Sequence, residues 1–243
     1  MRVLSLFSGI GAFEKALTNL GINYELVNYC EIDKYASKSY AAIHSETEDK
    51  NLWDVNEVKG ENVTPPIDLL TYGFPCQDIS VAGHMKGFQD EDGNRTRSGL
   101  FFEALRIIKE VKPKVAIAEN VKALTSKKFK TEFQTVLESL DEAGYNNYWQ
   151  VLNAKDYGVP QNRERVFIVS VRKDCDAPWA FQFPEPEELA ICMKDMLDEE
   201  VESKYYLTSD RAKKLIDELV VGGKIKDIID NEPIDNYVGG GRL

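Results

Sequence analysis

A cysteine in the segment Gly73-Phe74-Pro75-Cys76-Gln77 lies where a reactive thiol would meet a ligand. The segment follows an apolar run, residues 67–72, and the carboxyl end of such a strand faces the crevice in which α/β proteins bind ligands. Pro75 stiffens the turn and nearby backbone N–H groups would favour a thiolate, so we predict that Cys76 is a nucleophile. The alternative is a small buried residue, the environment that we expect for the cysteines without activating neighbours, Cys30, Cys175 and Cys192.

A carboxyl group is predicted at the same edge of the sheet as Cys76. Glu119-Asn120-Val121 closes the apolar run 114–118, which is typical of a second buried strand. If burial kept the Glu119 carboxyl protonated, it could donate a hydrogen bond to a ring nitrogen. The alternative is a helix-capping pair, because Asn is a favoured N-cap residue. The polar, glycine-rich stretch 78–98 has the length of a lid or a binding loop.

Two arginines occur in the segment Gln161-Asn162-Arg163-Glu164-Arg165. Side chains two residues apart point the same way on an extended segment, so Arg163 and Arg165 would act on one ligand. Guanidinium groups suit phosphate or carbonyl recognition. The alternative is a solvated, charged turn.

A glycine-rich turn, Phe7-Ser8-Gly9-Ile10-Gly11-Ala12-Phe13, lies between a predicted strand and a predicted helix. Glycines there let the backbone pass close to a ligand at the positive end of a helix. Glu31 follows Gly11 by 20 residues, at the end of the next strand, where a carboxylate can accept both hydroxyls of a ribose. A tight turn with a solvated glutamate is the alternative.

The elements that position these residues alternate along the chain, which predicts an α/β fold with a doubly wound, mostly parallel sheet and helices on both faces. A short strand is also expected before Trp53, and the last two strands lack an intervening helix, so we expect them to be antiparallel at the sheet edge. The predicted strands are residues 3–7, 24–30, 67–72, 114–118, 148–152 and 166–171, and the predicted helices are residues 13–20, 34–43, 99–111 and 129–143.

Charge divides the chain of 243 residues near Lys173. The formal net charge is −11, of which residues 173–243 carry −8, so bulk charge does not favour binding to nucleic acid. We predict a catalytic domain at 1–172 and an acidic region at 173–243, with helices at 187–202 and 209–220. The four cysteines form no CxxC pair, and apolar runs are only a few residues long, which favours a cytoplasmic protein without a metal or a membrane segment.

Together, the four motifs resemble the DNA cytosine-5 methyltransferase family, in family order from Leu4 to Arg172. The resemblance implies a Rossmann-like class I methyltransferase that uses S-adenosylmethionine, releases S-adenosylhomocysteine and needs no metal. The implied substrate is duplex DNA, in which the target cytosine is flipped out of the helix.

The resemblance also implies a role for each motif residue. Cys76 would add to cytosine C6, Glu119 would bind N3 and the exocyclic amine, and Arg165 would bind the carbonyl oxygen. Asn120 and Arg163 would hold the loop that carries Cys76. Glu31 would bind the ribose, Ile32 would pack on the adenine and Asp54 would accept from its amino group. The other residues that would line the cofactor pocket are Phe7, Ser8, Gly9, Ile10, Gly11, Val55, Pro75 and Leu100.

The resemblance ends at Arg172. A complete member continues with a target-recognition region, an Arg-Leu-Thr-type stretch and a final Asn-containing helix. Neither of the last two is recognisable in residues 173–243, which would be at most the start of a recognition region or a tail. Three alternatives remain: a catalytic portion that needs a second chain with the missing segments and is inactive alone, a tRNA cytosine-5 methyltransferase, or an inactive prophage remnant.

Overall fold

The structure, a computed structural model, describes residues 1–64, 66–75, 97–175, 181–205 and 208–223, with only the backbone at 97, 98 and 193. The predicted nucleophile Cys76 and most of the predicted loop 78–98 lie outside the described residues. The described residues include no helix that is both long enough and apolar enough to cross a membrane.

Six strands form one sheet in the order β2-β1-β3-β4-β6-β5. Strands β1 to β4 are parallel, whereas β6 is antiparallel to both of its neighbours. The mostly parallel α/β fold is thus confirmed, and so is the antiparallel pair that ends at the edge strand β5. The strands are β1 (Arg2–Leu6), β2 (Glu25–Cys30), β3 (Leu69–Tyr72), β4 (Val115–Val121), β5 (Tyr145–Asn153) and β6 (Glu164–Arg172).

Alternate residues of the central strands enter different hydrophobic clusters, because successive side chains point to opposite faces of a sheet. Leu4 and Leu6 of β1 belong to the larger cluster, which α3 and α4 cover, and Val3 belongs to a smaller cluster that includes Tyr40. The helices are α1 (Ala12–Asn19), α2 (Lys34–His44), α3 (Phe101–Val111), α4 (Lys130–Glu142) and α5 (Asp210–Val221).

The strand expected before Trp53 is reduced to one parallel bridge between Tyr29 and Asn51. The prediction of a full strand was wrong because the backbone turns at once. Trp53 has a left-handed backbone, with φ 59°, which cannot continue a strand.

The chain divides into two compact units: residues 1–153 with 163–185, and residues 154–162 with 186–243. In the second unit, the helix predicted at 187–202 was wrong, since only a short 3₁₀ turn, Met193–Met196, forms there. The apolar residues of the segment stay exposed, among them Met196 and Leu197 at 60% and 67%, and its many carboxylates repel one another, so a helix there gains little from packing. The helix predicted at 209–220 does form, and the Ser209 hydroxyl caps it by accepting from the Ala212 N–H at 3.3 Å.

Candidate active site

The end of β4 carries a carboxylate held by two arginines of the segment that enters β6. The Nε atom of Arg165 lies 2.9 Å from Oε1 of Glu119, and an Nη atom of Arg163 lies 3.7 Å from the same oxygen. The antiparallel register, which pairs Val121 with Arg165, produces this arrangement. It brings Glu119 to two predicted site residues that lie more than 40 positions further along the sequence.

The other oxygen of Glu119 faces the turn that leads to Cys76. A Cβ atom on Gly73 would lie 3.7 Å from Oε2 of Glu119, an ordinary van der Waals distance. Glu119 thus lies between the two arginines and the turn that precedes Cys76.

The neighbouring Asn120 fixes the same turn. Its side chain is buried, and its amide Nδ2 donates to the carbonyl oxygen of Phe74 at 3.1 Å, while its Oδ1 accepts from the Val121 N–H at 2.8 Å. Phe74 is buried in the larger cluster, so the turn is held by both packing and a hydrogen bond. The arrangement ends one residue before Cys76, at the half-buried Pro75.

The glycine turn between β1 and α1 bends through three left-handed residues, Phe7 (φ 53°), Gly9 (φ 57°) and Gly11 (φ 83°). Glycine tolerates this backbone without strain. Open space faces Gly9, because a Cβ atom there would meet nothing within 4 Å. The N–H of Gly9 donates to Oε2 of Glu31 at 2.8 Å, which ties the turn to the end of β2.

Glu31 keeps the capacity to accept further hydrogen bonds. Its Oε1 accepts from the Asp33 N–H at 2.8 Å and its Oε2 from Gly9, so each oxygen uses one of about two acceptor positions. Both oxygens therefore have room for one ribose hydroxyl. The half-buried Asp54 uses Oδ1 to accept from the Asn56 backbone N–H at 2.9 Å and from the Asn56 side-chain Nδ2 at 2.7 Å.

Cys30 shows that the two predicted carboxylate ligands converge. Burial first, and then the charges of Asp54 and Glu31, raise the pKa of the Cys30 thiol to about 12. Its sulfur donates to the Trp53 carbonyl oxygen at 2.9 Å. Cys30 is thus a buried packing residue, as the sequence predicted, whereas the burial predicted for Cys175 and Cys192 was wrong, because both are exposed.

The predicted pocket residues differ in exposure. Ile10 and Ile32 are 56% and 68% exposed, so their apolar side chains are available to a ligand. Phe7 and Leu100 are half-buried against the larger cluster, whereas Val55 is buried within it. Ser8 turns inward, with its hydroxyl donating to the Cys30 carbonyl oxygen at 3.2 Å.

Sequence reasoning missed Asn51, whose buried side chain joins the two carboxylate-bearing segments. Its Oδ1 accepts from the backbone N–H groups of Glu31 (3.0 Å) and Trp53 (2.8 Å), and its Nδ2 donates to the Glu31 carbonyl oxygen (2.9 Å). A further bond joins Nδ2 to the Ser37 hydroxyl at 3.0 Å. A lone asparagine after a polar stretch gives no sequence signal for this role.

Two more supporting residues were missed. His44, at the end of α2, places Nε2 3.0 Å from the Ile10 carbonyl oxygen and thus braces the glycine turn. Arg106 of α3 donates to the Val55 carbonyl oxygen at 3.2 Å and pairs with Glu103 and Glu110. The apolar spacing of residues 99–111 predicted a helix. It did not indicate that Arg106 binds the backbone of Val55, the residue after Asp54.

Comparison with known families gives a match over residues 1–236 to the model described as C-5 cytosine-specific DNA methylase. The chain belongs to this family. Family membership agrees with the motif order, which runs from the glycine turn through the Cys76 segment and Glu119 to the two arginines.

Relatives in the family come from phages and bacteria. The chain is 42% identical to the orphan methyltransferase M.SPRI of Bacillus phage SPR, over 90% of this chain and 55% of that protein. It is 40% identical to the type II methyltransferase M.HhaI of Haemophilus parahaemolyticus, over 87% of this chain and 61% of that protein. The chain thus spans about half to three fifths of the length of these relatives.

Solved structures share the fold. The methyltransferase EhMeth of Entamoeba histolytica superimposes with a TM-score of 0.66 at 19% identity, covering 93% of this chain and 67% of that one. A DNMT2 mutant from Spodoptera frugiperda gives 0.65 at 21% identity, covering 89% and 65%.

Proposed function

We propose that this chain transfers a methyl group from S-adenosylmethionine to C5 of a flipped-out cytosine in duplex DNA, with Cys76 as the covalent nucleophile. The observation that carries the proposal is the Glu119 carboxylate, held by Arg165 and facing the turn before Cys76. A carboxyl group beside a guanidinium group suits N3 with the exocyclic amine and the carbonyl oxygen of cytosine, and Cys76, which follows this turn in the sequence, is then the thiol for C6.

The thiol is needed because C5 of cytosine is a poor nucleophile. Addition of the Cys76 sulfur to C6 forms a C–S bond and gives C5 enamine character, so that C5 can attack an electrophilic methyl group. S-Adenosylmethionine supplies that methyl group on a sulfonium. Loss of the C5 proton to a base then returns an electron pair to the ring, and the C–S bond breaks to release Cys76.

Glu119 and Arg165 act on the ring during this addition. The carboxyl group of Glu119 binds N3 and the exocyclic amine, where charge changes as the thiol adds, and Arg165 binds the carbonyl oxygen. Asn120 and Arg163 hold the turn and the carboxylate in place. Because the hydrogen bond from Asn120 to Phe74 is buried, the turn before Cys76 is set before the substrate binds.

The residues around the glycine turn fit the proposed cofactor. Glu31 retains an acceptor position on each oxygen for the ribose hydroxyls, and the exposed side chain of Ile32 can pack on the adenine. Asp54 accepts from the adenine amino group. The methionine and adenine ends of the cofactor are surrounded by Phe7, Ser8, Gly9, Ile10, Gly11 and Leu100. The wall of the same pocket is completed by Val55 and Pro75.

The catalytic domain is residues 1–172 in this proposal, and residues 173–243 begin a recognition region. Duplex DNA is the partner, and a second chain supplies the recognition region and the closing segments. The net charge of −8 in residues 173–243 supports this division, since tight binding to DNA requires several phosphate-neutralising side chains.

Covalent trapping tests the proposal. Duplex DNA that carries 5-fluorocytosine should form a stable adduct with the chain in the presence of S-adenosylmethionine and the C-terminal half of a close relative. Fluorine at C5 cannot leave as a proton does, so release of Cys76 stalls. Peptide mapping should place the adduct on Cys76, and Cys76→Ser should abolish it.

Two controls separate the alternatives. Cys175→Ser should trap as the wild type does, because Cys175 is exposed and lies away from the turn before Cys76. An adduct on another cysteine would overturn the assignment of the nucleophile. Trapping of fluorinated tRNA in preference to duplex DNA would overturn the assignment of the substrate.

A further inference from the structure

The segment that continues β4 is positively charged in an acidic chain. Residues 122–130, named the lysine segment, contain four lysines and no acidic residue, whereas the whole chain carries a net charge of −11. All four side chains are exposed: Lys122, Lys127, Lys128 and Lys130. The lysine segment is therefore a locally positive surface on a chain whose net charge is negative.

The fold holds this segment firmly in place. Leu124 and Phe129 are 0% and 1% exposed and insert into the larger hydrophobic cluster. Between them, the Phe129 N–H donates to the Ser126 carbonyl oxygen at 3.1 Å. The segment therefore presents its ammonium groups from a packed backbone, so binding a ligand requires little ordering of the chain.

Part of this charge is not neutralised by the protein. Lys122 pairs with Glu164 at 2.7 Å, and Lys128 lies 5.6 Å above the ring of Phe129. Within the described portion of the chain, no carboxylate lies within ion-pair distance of Lys127 or Lys130. Such ammonium groups release counterions when they bind phosphates, which is the main source of affinity for DNA.

The lysine segment begins beside the base-binding residues. Lys122 follows Glu119 by three positions, roughly 10 Å along an extended strand. Its partner Glu164 is next to Arg165, which binds Glu119. We propose that Lys127 and Lys130 bind backbone phosphates of duplex DNA beside the flipped cytosine. This inference rests on the proposed function and adds the surface on which the duplex lies.

Salt dependence of DNA binding tests the inference. The double variant Lys127→Gln/Lys130→Gln should lose two phosphate contacts, which lowers the slope of log K against log salt by about 1.8. The loss of affinity between about 50 and 200 mM salt should then be about tenfold smaller than in the wild type. Fluorescence anisotropy with the full chain and a labelled duplex measures both quantities.

The matched control is Lys109→Gln/Lys112→Gln, which removes the same charge from exposed positions at the C-terminal end of α3. The helix ends just before β4 begins, so these two lysines lie near the amino-terminal end of β4, whereas Glu119 lies near its carboxyl end. The control should keep the wild-type slope, which excludes a bulk-charge effect. An unchanged slope in Lys127→Gln/Lys130→Gln would overturn the inference.

A titration with S-adenosylmethionine distinguishes failure of the inference from failure of the proposed function. Both double variants should bind the cofactor as the wild type does. If the cofactor binds but the wild-type chain, mixed with the C-terminal half of a close relative, shows no duplex binding at about 50 mM salt, the inference is wrong and the cofactor site stands. If neither ligand binds a folded chain, the proposed function fails as well.

Discussion

The two halves of the candidate site are held by different kinds of interaction. We name the half around the glycine turn and Glu31 the cofactor side, and the half around Glu119 at the end of β4 the base side, after the proposed function. Around the glycine turn, Asn51 and Glu31 bind backbone groups, and most of these contacts are buried or half-buried. At the end of β4, charged side chains bind one another near the surface, as in the pair of Glu119 and Arg165. The first kind of contact contributes to stability, whereas the second keeps charged groups available to a substrate.

Asn51→Ala should have the largest effect on stability. The substitution leaves the part-buried N–H groups of Glu31 and Trp53 without their acceptor, and each such loss costs about 1–3 kcal/mol. We expect the free energy of unfolding to fall by about 3 kcal/mol, with weaker cofactor binding. Urea unfolding measures the first quantity and calorimetry measures the second.

Asn28→Ala is the matched control for Asn51→Ala. Among the described residues, the Asn28 side chain on β2 makes a single hydrogen bond, from Nδ2 to the carbonyl oxygen of Lys50, the neighbour of Asn51, at 3.1 Å. It should cost about 1 kcal/mol. Equal losses in the two variants would show that Asn51 is not the link between the two segments.

Cys30 gives the cofactor side a pH dependence of intermediate size. Its pKa is about 12 in the folded chain against an ordinary 9.0. Above pH 9 the unfolded chain therefore ionises this thiol while the folded chain does not, so stability falls as pH rises from 9 towards 12. The full contribution is present below pH 9.

Cys30→Ala should remove that dependence. Between pH 8 and 10 the variant should lose about 1 kcal/mol less stability than the wild type, as measured by urea unfolding at each pH. Tyrosines contribute to alkaline destabilisation equally in both proteins. Cys175→Ala, at an exposed position, should retain the wild-type dependence; parallel curves for all three proteins would rule out the role given to Cys30.

Glu119→Gln should have the smallest effect on stability and a large effect on chemistry. Its side chain is 27% exposed, and partly exposed ion pairs contribute about 1 kcal/mol or less. The free energy of unfolding should therefore change by less than about 1 kcal/mol, while trapping of 5-fluorocytosine DNA should fall sharply. A variant that traps DNA normally would remove Glu119 from the base site.

Local sequence patterns were enough to predict most of the strands and helices of the first unit. The apolar runs predicted the strands. The Glu119 motif and the paired arginines predicted site residues that the fold does bring together. Asn51, His44 and Arg106 could not be found in this way, because each acts through a backbone group that is distant in sequence. The helix predicted at 187–202 failed for a related reason, since its apolar spacing is typical of a helix but whether those side chains become buried depends on distant parts of the chain, and in the structure Met196 and Leu197 stay exposed.

The contact between Gly11 and His44 constrains the order in which substitutions can accumulate. A Cβ atom on Gly11 would lie within van der Waals overlap of the His44 ring, and the left-handed backbone at φ 83° adds strain of its own. Gly11→Ala should therefore be tolerated better after His44 has become small than before it, although the strain of the backbone remains. The Tyr40 ring is also too close to that Cβ position, at 2.8 Å. Substitutions at contacting residues are not additive, so the cost of a side chain at position 11 depends on the residues at positions 40 and 44.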